Sequence, residues 1–178
     1  QTPVIMAYDA GNYGASLDKA LEMADYKGLT ARKAESAKKG KLRGLGIASC
    51  VEDTGLGPFE GASIRVTPSG KVVVATGASS QGQGHRTAFA QIAADALGVE
   101  LEDVTVETAD TAKFPLGIST IASRIAVTAG SSVQLAANKV KAKAITFASH
   151  QLEVDEQDLE LEGGAVRVKG IPGMKIKL

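Results

Sequence analysis

Residues 71–98 read KVVVATGASSQGQGHRTAFAQIAADALG, and the fold turns on how the middle of this stretch is read. The β-branched run at its start predicts a strand. At its end Phe89, Ile92, Ala93, Ala96 and Leu97 recur at i, i+3, i+4, i+7 and i+8, which predicts an amphipathic helix stopped by Gly98. Between them, small and polar residues connect strand to helix. That connection can be a plain turn. It can also be a ligand loop, because a helix N-terminus offers unpaired N–H groups and the positive end of the helix dipole. Glycines just before it let an anion approach the backbone. Gly82 and Gly84 flank Gln83 at such a point, and a glutamine amide both donates and accepts. Neither common nucleotide fingerprint fits. A Walker lysine is missing after GQG, and the third glycine of a dinucleotide loop would fall at Thr87.

Working outward, the pattern of strand, small-residue loop and helix repeats. EDVTVETAD predicts a strand with Val104 and Val106 on one face, and TAKFPLGIST a second loop. A long Ala-rich helix follows over 123–151, with a stripe of Ala129, Val133, Ala136, Val140, Ala144 and Phe147. Ser119, Thr120 and Ser123 offer hydroxyls at its start, so the two loops could converge on one large polar anion. Upstream, ASIRVTP pairs with KVVVATG through a turn at Pro68 and Gly70, and LRGLGIASCVEDT reads as a further strand. DLELEGGAVRVKG is a hairpin turning at Gly163–Gly164, after which IPGMKIKL ends the chain without a helix. At the other end, residues 1–14 read as irregular. Residues 16–27 predict a helix capped by Ser16 with Leu17, Ala20, Leu21 and Ala24 on one face, and a polar helix or linker follows to near Gly40. The expected organisation is a helical connecting segment, 1–40, and an α+β domain, 41–178, with helices packed on a mainly antiparallel or mixed sheet.

Composition narrows the functions. The 178 residues carry 20 basic and 20 acidic side chains, so no net field recruits nucleic acid or an anionic membrane. No apolar run is long enough to span a bilayer, and the N-terminus lacks a signal-peptide layout, which gives a cytoplasmic expectation. One cysteine, Cys50, and two distant histidines leave no internal disulfide and no metal or iron–sulfur site of this chain's own. Cys50 reads as a small buried hydrophobe. His85 reads as a solvent-facing or capping residue in the first turn of its helix, and His150 as structural at a helix end. No nucleophile elbow is present. The acids Glu100, Glu102, Asp103, Glu107 and Asp110 lack metal-loop spacing and read as a solvated rim. No catalytic residue is assigned.

The blocks YDAGNYGASLDKALEMADY, GLGIASCVEDTGLGPFEGASIRV, TGASSQGQGHRTAFAQIAADALGVELEDVTVETADT and GISTIASR, in that order, resemble the molybdopterin-binding subunit of the xanthine dehydrogenase/aldehyde oxidase family. The resemblance spans essentially the whole chain and is densest from 42 to 130. It implies part of that family's molybdopterin-binding domain, with Gln81, Gly82, Gln83, Gly84, Ala122, Ser123 and Arg124 contacting the pyranopterin and its phosphate-bearing tail. It places Phe59 and Glu60 near the substrate pocket. The implied activity is water-derived hydroxylation of an aldehyde or N-heterocycle. Electrons would leave through [2Fe–2S] clusters and FAD on other domains or subunits, with the remainder of the large subunit as a further partner. The family's general base lies in a G-x-G-E segment that this sequence lacks, so the chain alone is expected to be inactive. Arg86, where an acid is common, and Ile125, where a small polar residue is usual, depart from the family pattern. From the residues alone two other readings stand: a stand-alone module for a nucleotide or phosphate-bearing ligand, or a structural unit with empty loops.

Overall fold

A computed structural model describes residues 10–52 and 54–178. It divides into two units, Gln1–Cys50 and Val51–Leu178, so the division falls later than the 40/41 boundary expected from composition. Most of the opening stretch read as irregular lies outside the described residues.

The first unit contains two helices, α1 (Tyr13–Met23) and α2 (Leu29–Lys38). The cap of α1 is Asn12, whose side chain accepts from the Ala15 N–H, and not Ser16, so the helix starts earlier than its apolar spacing implied. It also ends earlier, because Asp25 takes a left-handed conformation and caps the single turn Tyr26–Gly28. Arg32 then ties the corner, bonding the Asp25 carboxylate and the Ala24 carbonyl. Neither helix buries a residue. The strand expected at 42–54 is corrected: its described residues have no regular structure, because no neighbouring strand takes up their backbone groups. Cys50 is correspondingly exposed, not buried.

In the second unit β1 (Ala62–Val66) and β2 (Val72–Thr76) form the expected hairpin, closed by the Gly70 N–H on the Thr67 carbonyl. Then come α3 (His85–Leu97), β3 (Val104–Thr108) and α4 (Ile125–Leu152). The strand β2 pairs antiparallel with β1 and parallel with β3, which makes a mixed three-stranded sheet. A second sheet, β4 (Leu159–Glu162), β5 (Ala165–Val168) and β6 (Ile171–Lys177), is antiparallel throughout. The fold is therefore α+β, as expected. The terminal strand β6 was not foreseen: Pro172 removes a donor, and an edge strand that pairs on one side tolerates that loss.

The main core joins Val72, Val74 and Val106 of the first sheet to Phe89, Ala93 and Leu97 of α3 and to Ile125, Ala129, Val133 and Ala137 of α4. Ile125, which departs from the resembled family, is a core residue. Fully buried alanines let the two helices approach closely, and any added volume there would have to displace a neighbour. A second core gathers Ala148 of α4 with Leu159, Val166 and Val168. The expected stripe of α4 slips after Val133, where Ala137 and not Ala136 is the buried residue. Phe147 is exposed and Ala148 takes the buried position, because over 28 residues the inward face drifts around the helix.

Candidate functional site

The parallel pairing of β2 with β3 decides where the loops go. Parallel strands end at the same edge of a sheet, so the loop after β2 (77–84) and the loop after β3 (109–124) leave from neighbouring points. The antiparallel partner begins there too, since Ala62 of β1 sits opposite Thr76. Segment 54–61 therefore arrives at that same edge. Ligand sites in α/β arrangements recur at the carboxyl ends of parallel strands for this reason.

Backbone and side chains lock the three segments together. A Cβ on Gly77 would overlap the Leu116 carbonyl, and one on Gly117 would lie 2.8 Å from Gly77 backbone atoms. Ser79 and Ser119 share a 3.0 Å hydroxyl hydrogen bond, and Thr120 donates to the Ser79 carbonyl. The Gly55 N–H reaches the Ser123 carbonyl at 3.3 Å.

Between these loops lies an open cavity of about 560 Å³, within the range of small-molecule and cofactor sites. Gln81, Gln83, His85, Thr120, Ala122, Ser123 and Arg124 border it. Gly82 and Gly84 adopt φ of +103° and +77°, and nothing would lie within 4 Å of a Cβ on either. What demands glycine there is backbone conformation, and the space beside it is open. Gln83 folds back so that its Oε1 accepts the Gln81 N–H at 2.6 Å. Ala122 and Ser123 both take φ of +47°, unusual for residues with a Cβ.

His85 departs from its expected solvent-facing place. It is buried, stacks on Phe89 with ring centroids 5.7 Å apart, and its Nδ1 has no hydrogen-bond partner. The signal was available: His85 lies one turn before Phe89 and extends the apolar stripe of α3 toward its start. The five acids read as a rim do lie at the surface or half-buried, and two are ion-paired, Asp103 with Lys71 and Glu107 with Lys113.

Arg124 borders the cavity yet has no exposed surface. Its Nε donates to the Leu56 carbonyl at 2.6 Å, one terminal nitrogen to Glu60 and the Ser119 carbonyl, and the other to the Phe59 carbonyl at 3.0 Å. Phe59 is exposed, Glu60 is enclosed, and neither borders the cavity.

The donor set suits a polar, multiply hydrogen-bonding organic ligand: side-chain amides, hydroxyls, open glycine backbone and two helix starts. Among the described residues, no cluster of three or more His, Cys, Asp and Glu could hold a metal ion.

The family model for the molybdopterin cofactor-binding domain matches residues 19–177. The chain belongs to that family. The matched span includes the residues that border the cavity. Among relatives, the carbon monoxide dehydrogenase large chain of Afipia carboxidovorans is 41% identical over 96% of this chain and 23% of its own length. The nicotine 6-hydroxylase large subunit of Paenarthrobacter nicotinovorans is 35% identical over 99% of this chain and 23% of its own. The crystal structure of Cu,Mo-CO dehydrogenase in its carbon monoxide reduced state superposes with a TM-score of 0.66 at 40% identity, over 96% of this chain and 24% of that one. Quinoline 2-oxidoreductase from Pseudomonas putida 86 gives 0.67 at 35% identity, over 97% of this chain and 23% of that one. The chain thus spans about a quarter of the length of these molybdopterin-domain relatives.

Proposed function

We propose that this molybdopterin-binding domain forms one wall of the active site of a molybdenum hydroxylase that acts on an aldehyde or an N-heterocycle. The observation that carries the reading is the convergence of the 81–84 loop and the 119–124 loop on a single cavity. The kinship with proteins named for nicotine and quinoline supports a ring substrate. Bound, the cofactor supplies two-electron redox chemistry at molybdenum. The work of this chain is to hold it.

In this reading Gly82 and Gly84 keep the loop backbone accessible, and the amides of Gln81 and Gln83 match heteroatoms of the pterin ring. Ala122 and Ser123 present backbone and hydroxyl donors at the start of α4, which suits the phosphate-bearing tail. Arg124 serves from behind, holding the loop that carries Ser123. Phe59, being exposed, is available to the substrate side. The base, the iron–sulfur clusters and the flavin belong to other domains or subunits, and the working complex is cytoplasmic.

The test is the metal and pterin content of the complete protein that carries this domain. Molybdenum and pterin in equal amounts are expected. Gln83→Ala combined with Ser123→Ala is expected to lower both by about tenfold, the loss of one or two hydrogen bonds to a charged ligand. A purified protein holding a nucleotide and no molybdenum would overturn the proposal and favour a phosphate-binding module.

A further inference from the structure

The buried pair of Glu60 and Arg124 is the feature of this domain that the cavity alone does not explain. Both side chains are fully enclosed. One carboxylate oxygen, Oε1, accepts from three donors: the Ile118 N–H at 3.0 Å, the Ser119 N–H at 3.0 Å and the Arg124 guanidinium. The other, Oε2, is buried with no partner. The backbone of Glu60 is also held, because Ser132 of α4 donates to its carbonyl at 2.6 Å.

Such a pair is a poor device for stability. Enclosing two charges forfeits their hydration, and an orphaned oxygen recovers none of it. What the pair does achieve is registration. Glu60 and Arg124 together bond segment 54–61, the 116–120 turn and the first turn of α4, which are distant in sequence. Gly57 shows how close the fit is: it takes φ of +95°, and a Cβ there would lie 3.1 Å from the Arg124 Nε. The loop held this way contains three residues in left-handed conformations, Ser119, Ala122 and Ser123. Isolated, a loop with three such residues would relax, and strained conformations persist only where their surroundings over-determine them.

We infer that Glu60 is a positioning residue for the molybdopterin loop. It acts through Arg124 and through the N–H groups of Ile118 and Ser119, and it touches neither cofactor nor substrate. This assignment rests on the proposed cofactor site. It also moves Glu60 from the substrate side, where family resemblance had put it, to the back of the cofactor wall.

The experiment compares three variants of the complete protein. Glu60→Leu removes the acceptor and leaves Arg124 unpaired. Glu60→Gln keeps an acceptor of nearly the same shape. Val133→Ala, which trims the main core and leaves every hydrogen bond of Glu60 and Arg124 in place, controls for lost stability. The readouts are the melting temperature, molybdenum and pterin per chain, and amide hydrogen exchange at 118–124. Glu60→Leu is expected to speed exchange at Ile118 and Ser119 by about tenfold or more, as for a buried N–H stripped of its acceptor. Its cofactor content is expected to fall in parallel, and Glu60→Gln to restore much of both. Val133→Ala is expected to lower the melting temperature while leaving cofactor content and loop exchange at wild-type values. The inference is overturned if Glu60→Leu keeps wild-type exchange at 118–119, if Glu60→Gln is as impaired as Glu60→Leu, or if Val133→Ala loses cofactor equally. Should Glu60→Leu fail to assemble, Glu60→Gln against Val133→Ala carries the same decision. A wild-type protein free of molybdenum and pterin would remove the cofactor reading, while the exchange measurement would still report whether Glu60 holds the loop.

Discussion

Gly77 and Gly117 meet backbone to backbone, with no room between them for a side chain. Gly77→Ala or Gly117→Ala must therefore push the two site loops apart. A loss of about 2–4 kcal/mol is expected, in the range of overpacking combined with broken hydrogen bonds, and thermal unfolding would read it. Gly82 and Gly84 behave differently, because both face open space. At Gly84 the φ of +77° lies near the left-handed region that asparagine tolerates, whereas +103° at Gly82 lies outside it. Gly84→Asn is expected to keep the melting temperature within a few degrees, and Gly82→Asn to lower both it and the molybdenum content. Equal effects of the two would contradict the conformational explanation. At this scale the sequence showed which glycines lead into a helix, since spacing before a helix is local information. It could not show the meeting of Gly77 with Gly117, or of Glu60 with Arg124, because each joins residues that only the finished sheet brings together.

The elements were legible wherever burial is one-sided and local. The α3 stripe reads directly from Phe89 to Leu97, and the β4–β5 hairpin from its paired glycines, both with left-handed φ. The strand expected at 42–54 shows the limit, since an apolar run becomes a strand only if a neighbour accepts its hydrogen bonds. The helix α4 shows another. Its stripe was correct through Val133 and slipped by one residue at Ala136 and again at Phe147, where Ala137 and Ala148 are the buried residues, because a 28-residue helix serves two cores that face it from different directions. Within it Gly130 is buried, and an added Cβ would meet only the terminal methyl of Ile92, at 3.3 Å. Gly130→Ala is therefore expected to stabilise by about 0.5–1 kcal/mol through helix propensity, measurable by denaturant unfolding. Ala129→Leu, by contrast, adds volume at a fully enclosed position and is expected to cost about 1–3 kcal/mol.

Across the whole molecule, the two loops border an open cavity, and the chain accounts for about a quarter of its relatives' length. Purified by itself, it is expected to show no hydroxylase turnover with aldehyde or N-heterocyclic substrates and an artificial electron acceptor. Turnover above background would contradict the assignment of the base to another domain. Large apolar side chains, among them Leu42, Ile47, Val51 and Phe147, are exposed. The isolated chain is accordingly expected to self-associate as concentration rises, which light scattering would detect. None of the described helices is long and apolar enough to cross a membrane.

The different wiring of the two sheets also bears on timing. Every pairing in the second sheet joins consecutive strands, with only Gly163 and Gly164 separating β4 from β5. The first sheet instead waits for β3 to return alongside β2, with α3 and its flanking turns between them. Loop closure makes such non-local pairing slow. Pulse-labelled refolding should thus protect the amides of Val166 and Val168 before those of Val74 and Val106, and those of Ile118 and Ser119 last. A refolding chain would hold a finished C-terminal sheet before its loop cavity exists, which makes the parallel pairing step the gate to forming that cavity.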